Sequence, residues 1–69
     1  DAPEESLEEK IALREAIRDL PERERETLYL RFFKCMTQEQ AARVLGVSQV
    51  QVSRLERKGV AHLREMLRE

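Results

Sequence analysis

An all-α fold of four helices, the last two joined as a helix-turn-helix without a wing, is predicted by three features of the sequence. Helix-start signatures, Ser or Thr followed three residues later by Glu or Gln, stand at Ser6-Leu7-Glu8-Glu9, Thr37-Gln38-Glu39-Gln40 and Ser48-Gln49-Val50-Gln51. Apolar residues recur at the i, i+3, i+4 spacing of a helix rather than alternating as in a strand. Leu45-Gly46-Val47 falls between the last two signatures, where a glycine closes one helix just before the next opens. With 69 residues the chain is expected to form a single domain, near the lower size at which a core holds without disulfides or metal. A start at Asp1 rather than Met is expected of a piece of a longer protein.

Asp1 to Glu5 is acidic and has no apolar anchor, so it is expected to fray or to end a linker. The first helix begins at Ser6, with acids in the first turn where the helix dipole favours them. Leu13, Ala16, Ile17 and Leu20 make its core stripe. Leu7 and Ile11 fall nearly opposite, either covering the core edge through a tilt or facing a neighbour. Leu20-Pro21 ends this helix and opens a second, because proline suits a first turn and biases the preceding residue out of helix.

The second helix is expected from about Pro21 to Phe33, with Leu28, Tyr29, Phe32 and Phe33 as its core side. Arg23, Thr27 and Arg31 share another side, either a solvated face or a grip on a phosphate backbone. Supporting helices thus occupy about 6–33, and the helix-turn-helix about 37–67. In the latter, Ala41, Ala42, Val44 and Leu45, then Val47, Val52 and Leu55, supply the apolar contact. Small residues at 42 and 46 suit two helices crossing steeply. An αα-corner in another helical domain has the same pattern.

The last helix carries a stripe of Val52, Leu55, Val60, Leu63, Met66 and Leu67. Val50, Ser53, Arg54, Arg57, Lys58 and Ala61 point the other way. Gly59 inside it predicts close packing or a bend, and isolated His62 is read as a surface or boundary residue.

Charge is segregated along the chain. Residues 1–26 hold ten acids and five bases, a balance of −5, whereas residues 27–69 hold four acids and eight bases, a balance of +4. The positive part contains the helix-turn-helix, the footprint expected of a face that meets phosphate. The single cysteine, Cys35, excludes an internal disulfide and a Cys-rich zinc site, and no metal or cofactor is expected. The sequence shows no Gly-rich phosphate loop, no pair of carboxylates suited to a pocket and no nucleophile beside a base, so no catalytic residue is assigned. It also lacks a signal peptide and a membrane-length apolar run, which makes a cytoplasmic location the expectation.

The segments LPERERETLYLRFF and TQEQAARVLGVSQVQVSRLERKGVAHLRE resemble region four, the C-terminal promoter-recognition domain, of the sigma-70 family of bacterial sigma factors. The resemblance covers about Leu13 to Arg68, and SQVQVSRLE is most similar to the sporulation and general-stress members from spore-forming Gram-positive bacteria. It implies a four-helix domain that docks on the β flap of RNA polymerase and lays its last helix in the major groove of the −35 promoter element. Base contacts would fall on Gln49, Val50, Ser53 and Arg54, and phosphate contacts on Arg23, Arg31, Thr37, Arg43, Arg57 and Lys58. Where the housekeeping pattern starts this helix with Arg-Glu-Arg, this sequence has Gln49-Val50-Gln51, which implies a different −35 sequence.

Elementary recognition chemistry agrees. Gln pairs with adenine, Arg takes guanine, and an apolar Val touches a thymine methyl, although a lone surface valine is also common. Two other functions fit the same residues: a protein-interaction module held by an anti-sigma factor or a polymerase subunit, or a regulator that dimerises on a palindrome. The sequence has no extended heptad pattern for the dimer.

Overall fold

The computed structural model describes residues 7–68, with side chains from Ile11 to Arg68. Four α-helices follow in order: α1 (Leu7–Arg18), α2 (Glu22–Leu28), α3 (Gln38–Leu45) and α4 (Gln49–Leu67). A π-helical segment (Tyr29–Phe33) continues α2. Among the described residues there is no strand. The cap predicted at Ser6 and the side chain of Leu7 lie outside the described residues.

The helix boundaries come from local chemistry. Tight bonds from the Asp19 and Leu20 amides back to the Ala16 and Ile17 carbonyls, each 3.1 Å, finish α1. Pro21, extended at φ −53° and ψ 149°, has no amide to leave unsatisfied and accepts from the Arg25 amide at 2.9 Å. Thr37 caps α3 with both halves of a capping box: its hydroxyl accepts from the Gln40 amide at 3.1 Å and its own amide donates to Gln40 Oε1 at 2.9 Å. Gly46, at φ 72°, ends α3 in the left-handed conformation that other residues adopt only with strain. Ser48 caps α4 through the Gln51 amide at 3.1 Å, which is the Ser half of the predicted box.

Two apolar clusters hold the helices. Ala16, Ile17, Leu20, Leu28 and Leu63 form one, with Leu13, Phe33 and Val60 packed against it. Ala41, Ala42 and Val52 form the other, with Leu30, Leu45 and Val47. At Gly59 the helices α2 and α4 come so close that a Cβ would lie 2.8 Å from Leu28 Cδ1, so the close packing predicted there is present.

Several predicted core residues lie outside. Tyr29 and Phe32 are 45% and 51% exposed, because the π-helical turn is wider than an α-turn and breaks the 3.6-residue register that aligned them with Leu28. Leu30 turns inward onto the second cluster. Val44 sits about 100° round α3 from Leu45 and about 160° from buried Ala42, and is exposed. Met66 and Leu67 are exposed as well, because the first cluster reaches no further along α4 than Leu63.

The fold measures 33 × 28 × 15 Å across its Cα atoms. Measured between Cα atoms, that least dimension corresponds to two helices packed side by side, so the fold cannot enclose every large apolar residue.

Among the described residues two polar side chains take core positions. Thr27, fully buried, donates its hydroxyl to the Arg23 carbonyl one turn back at 2.8 Å. Glu24, 5% exposed, holds His62 Nδ1 at 2.6 Å across α2 and α4, so His62 has a tertiary partner rather than standing alone.

Candidate nucleic-acid interface

The long helix α4 buries Val52, Gly59 and Leu63 and turns its opposite side to solvent. On that side Val50, Arg54, Arg57 and Ala61 follow one another at the i, i+4, i+7, i+11 spacing of a single ridge, and all four are exposed. A shallow groove along one flank is lined by Val50, Gln51, Arg54, Arg57, Lys58 and Ala61. A second groove on the other flank, running onto the start of α3, is lined by Gln38, Ser53, Arg57, Ala61 and Arg64 together with Glu56. Arg57 and Ala61 border both and so mark the crest.

The predicted base-contact residues are therefore divided. Val50 and Arg54 stand together on the first flank. Ser53 lies on the second, half-buried. Gln49 is exposed about 100° round the helix from Val50, toward the Ser53 side. Two residues outside the predicted contacts, Gln51 and Arg64, also line these grooves. Gln51, in the sequence both the reciprocal arm of the Ser48 cap and part of the altered Gln49-Val50-Gln51 helix start, lines the groove beside Lys58. Arg64, three turns beyond Ser53, carries the basic character of the second groove toward the end of α4. Its spacing from Arg57 and Ala61 was the available signal.

Val50 is 60% exposed at the second position of α4, directly after the Ser48 cap. The helix start points its first-turn side chains outward with their backbone fixed by that cap, the geometry in which a helix presents residues to base edges. Among the described residues Arg54, Arg57 and Lys58 make no hydrogen bond or ion pair, so their donors are available.

The predicted phosphate contacts also divide. Arg43, Arg57 and Lys58 are exposed. Thr37 is exposed at the start of α3, and its hydroxyl, which accepts from Gln40, retains its proton for a further acceptor. Arg23 is exposed and reaches the Leu45 carbonyl at 3.5 Å.

Arg31 requires a correction. Its Nε donates to Glu56 Oε1 at 2.7 Å and its Nη1 to the Met36 carbonyl at 2.6 Å, so the guanidinium is engaged within the molecule. The intervening Thr27 is buried, and the side predicted to run from Arg23 to Arg31 is not one open face. Burial pushes the Glu56 carboxyl upward, but the hydrogen bonds from Arg31 and Gln38 and the Arg31 charge outweigh it and leave it below its ordinary value.

Arg31 reaches Met36 because Cys35 adopts a left-handed φ of 56°. This reversal ends the π-helical segment and lets the Met36 amide donate to the Leu30 carbonyl at 3.0 Å. Cys35 is exposed.

Comparison with known proteins places this geometry in a family. Residues 16–65 match the model described as Sigma-70, region 4. The RNA polymerase sigma-F factor of Bacillus licheniformis is 51% identical over 67 residues, covering 97% of this chain and 26% of the relative. That of Bacillus subtilis (strain 168) is 59% identical over 58 residues, 84% of this chain and 23% of the relative. The RNA polymerase sigma factor SigF of Mycobacterium tuberculosis (strain ATCC 25618 / H37Rv) is 49% identical over 67 residues, 97% of this chain and 26% of the relative. The chain spans about a quarter of the length of these curated relatives. The match over residues 16–65 includes both core clusters but for Leu13 at its edge, the capped turn and the exposed ridge of α4: the chain belongs to the region 4 family of sigma-70 factors.

Proposed function

We propose that this chain binds the −35 promoter element as region 4 of an alternative, sporulation-type RNA polymerase sigma factor and so directs transcription initiation. The supporting observation is the exposed ridge of Val50, Arg54, Arg57 and Ala61 on a helix whose first turn is fixed by Ser48. Arg54 takes a guanine edge and Val50 a thymine methyl, with Gln49 and Ser53 reading from the adjacent flank. Arg23, Thr37, Arg43, Arg57 and Lys58 fix the register through phosphates.

RNA polymerase, through its β flap, is the proposed protein partner. The surface suited to it is the groove between α1 and the π-helical end of α2, where Ile17, Tyr29 and Phe33 give an apolar floor bordered by Arg14, Arg18, Arg25 and Glu26. None of these residues lines either groove of α4. An anti-sigma factor would find the same apolar floor, and a cytoplasmic, nucleoid-associated location follows from the proposed role.

The test is selection from a duplex library with a randomised −35 segment, using the chain and its Arg54→Ala and Lys58→Ala variants. Arg54→Ala is expected to lose about 1–3 kcal/mol of discrimination at one base pair. Lys58→Ala is expected to weaken binding evenly and to lower the magnitude of the salt slope by about 1. Identical selectivity profiles for the two variants would refute this division of the surface.

A further inference from the structure

The contact between α3 and α4 is made by small side chains. Its buried residues are Ala41, Ala42 and Val52, with Leu30, Leu45 and Val47 at the margin. Attraction between such small apolar side chains is non-directional, so it constrains the relative angle and translation of the helices less sharply than a directional contact does. Reading a base with a bidentate side chain needs placement to within about half an ångström.

A directional contact does occur at the edge of this pair. Glu56 Oε1, on α4, accepts from Arg31 Nε at 2.7 Å and from Gln38 Nε2 at 3.1 Å. Arg31 belongs to the π-helical segment, and Gln38 is the first residue of α3. Arg31 Nη1 also holds the Met36 carbonyl at 2.6 Å, within the connection that leads into α3. The side chains of Arg31 and Glu56 are only 25% and 19% exposed, so solvent screens their attraction less than that of an exposed pair.

We infer that Glu56 is a positioning residue for DNA reading, setting how the ridge of α4 stands relative to the amino-terminal end of α3 by holding Arg31 and Gln38 on one oxygen. The inference rests on the proposed DNA function. Glu56 is followed directly by Arg57 on the crest, and Gln38 is preceded directly by Thr37, a proposed phosphate contact. The tie therefore joins the residue beside a phosphate anchor to the residue beside the reading ridge. If α4 slips on α3, base edges and phosphates can no longer be met together. Glu56 carries negative charge next to a surface meant for DNA, which opposes affinity. Its contribution is to geometry, and it appears as discrimination.

Two substitutions separate geometry from charge. Glu56→Gln and Glu56→Ala remove the same negative charge and strengthen non-specific attraction equally, but Gln keeps an oxygen that accepts from Arg31 and Gln38. The measurement is the ratio of affinities for the best duplex selected by the unaltered chain and for a duplex scrambled over the same segment, below the thermal midpoint of every variant. Glu56→Gln is expected to keep this ratio within about twofold and Glu56→Ala to lower it about tenfold, the size of one lost base contact.

Gln38→Ala removes only the arm to α3 and is expected to lie between them, which keeps the question answerable if Glu56→Ala does not fold. An unchanged ratio in folded Glu56→Ala, or equal losses in Glu56→Gln and Glu56→Ala, would overturn the inference. So would an unchanged Gln38→Ala ratio where Glu56→Ala does not fold. Absence of any preference in the unaltered chain would refute the DNA function itself, and that control reports it separately.

Discussion

Val50 shows what one residue can decide. It is a large apolar side chain left 60% exposed at the front of α4, away from both clusters. Its replacement by Glu should change stability by no more than about 0.5 kcal/mol, since it touches neither core. The carboxylate would accept from a cytosine amino group and could not pack on a thymine methyl, so preference should move toward cytosine at one base pair. Library selection with Val50→Glu checks this, and unchanged preference at every position would remove Val50 from the reading surface. The exposure of Val50 was legible in the sequence because it follows from position relative to a cap, as did the conformations of Thr37, Gly46 and Ser48. The partners of Arg31 and His62 were not legible. Glu56 lies 25 residues from Arg31, and Glu24 lies 38 residues from His62, so neither pair leaves a local pattern.

At the scale of elements, the helix order and most boundaries followed from punctuation in the sequence, whereas the end of α2 did not. The expectation for Tyr29 and Phe32 assumed 3.6 residues per turn through Phe33, and the π-helical segment breaks that assumption. Helix contact is most constrained at Gly59. Alanine there would gain about 1 kcal/mol of helix propensity. Its Cβ, however, would meet Leu28 Cδ1 at 2.8 Å and Cγ at 3.1 Å, with Glu24 Cβ at 3.5 Å behind. Because Leu28 is fully buried, and Cγ as well as Cδ1 is too close, a rotamer change alone gives little relief. Overpacking should outweigh propensity, and Gly59→Ala should destabilise the chain by about 1–3 kcal/mol in urea unfolding. A stabilised variant would mean that α2 and α4 have slack at their closest approach.

At the scale of the whole molecule, charge distribution sets what the chain can do alone. The −5 of residues 1–26 offsets the +4 of residues 27–69, so the long-range field offers DNA little attraction, and binding depends on the local face of α3 and α4. With Arg31 engaged by Glu56, the proposed cationic phosphate contacts are Arg23, Arg43, Arg57 and Lys58. Each phosphate neutralised contributes about −0.9 to the slope of log K against log salt, so the slope should lie near −3 to −4. A complex with so few contacts should be weak at physiological salt, and its effect in transcription should come from tethering to RNA polymerase, which raises local concentration without adding a base contact. Fluorescence anisotropy with a selected −35 duplex across a salt series measures both quantities. A much steeper slope would add phosphate contacts, with Arg64 the first to examine because it lines the second groove of α4. Tight, specific binding by the chain alone at physiological salt would remove the need for tethering and contradict this account.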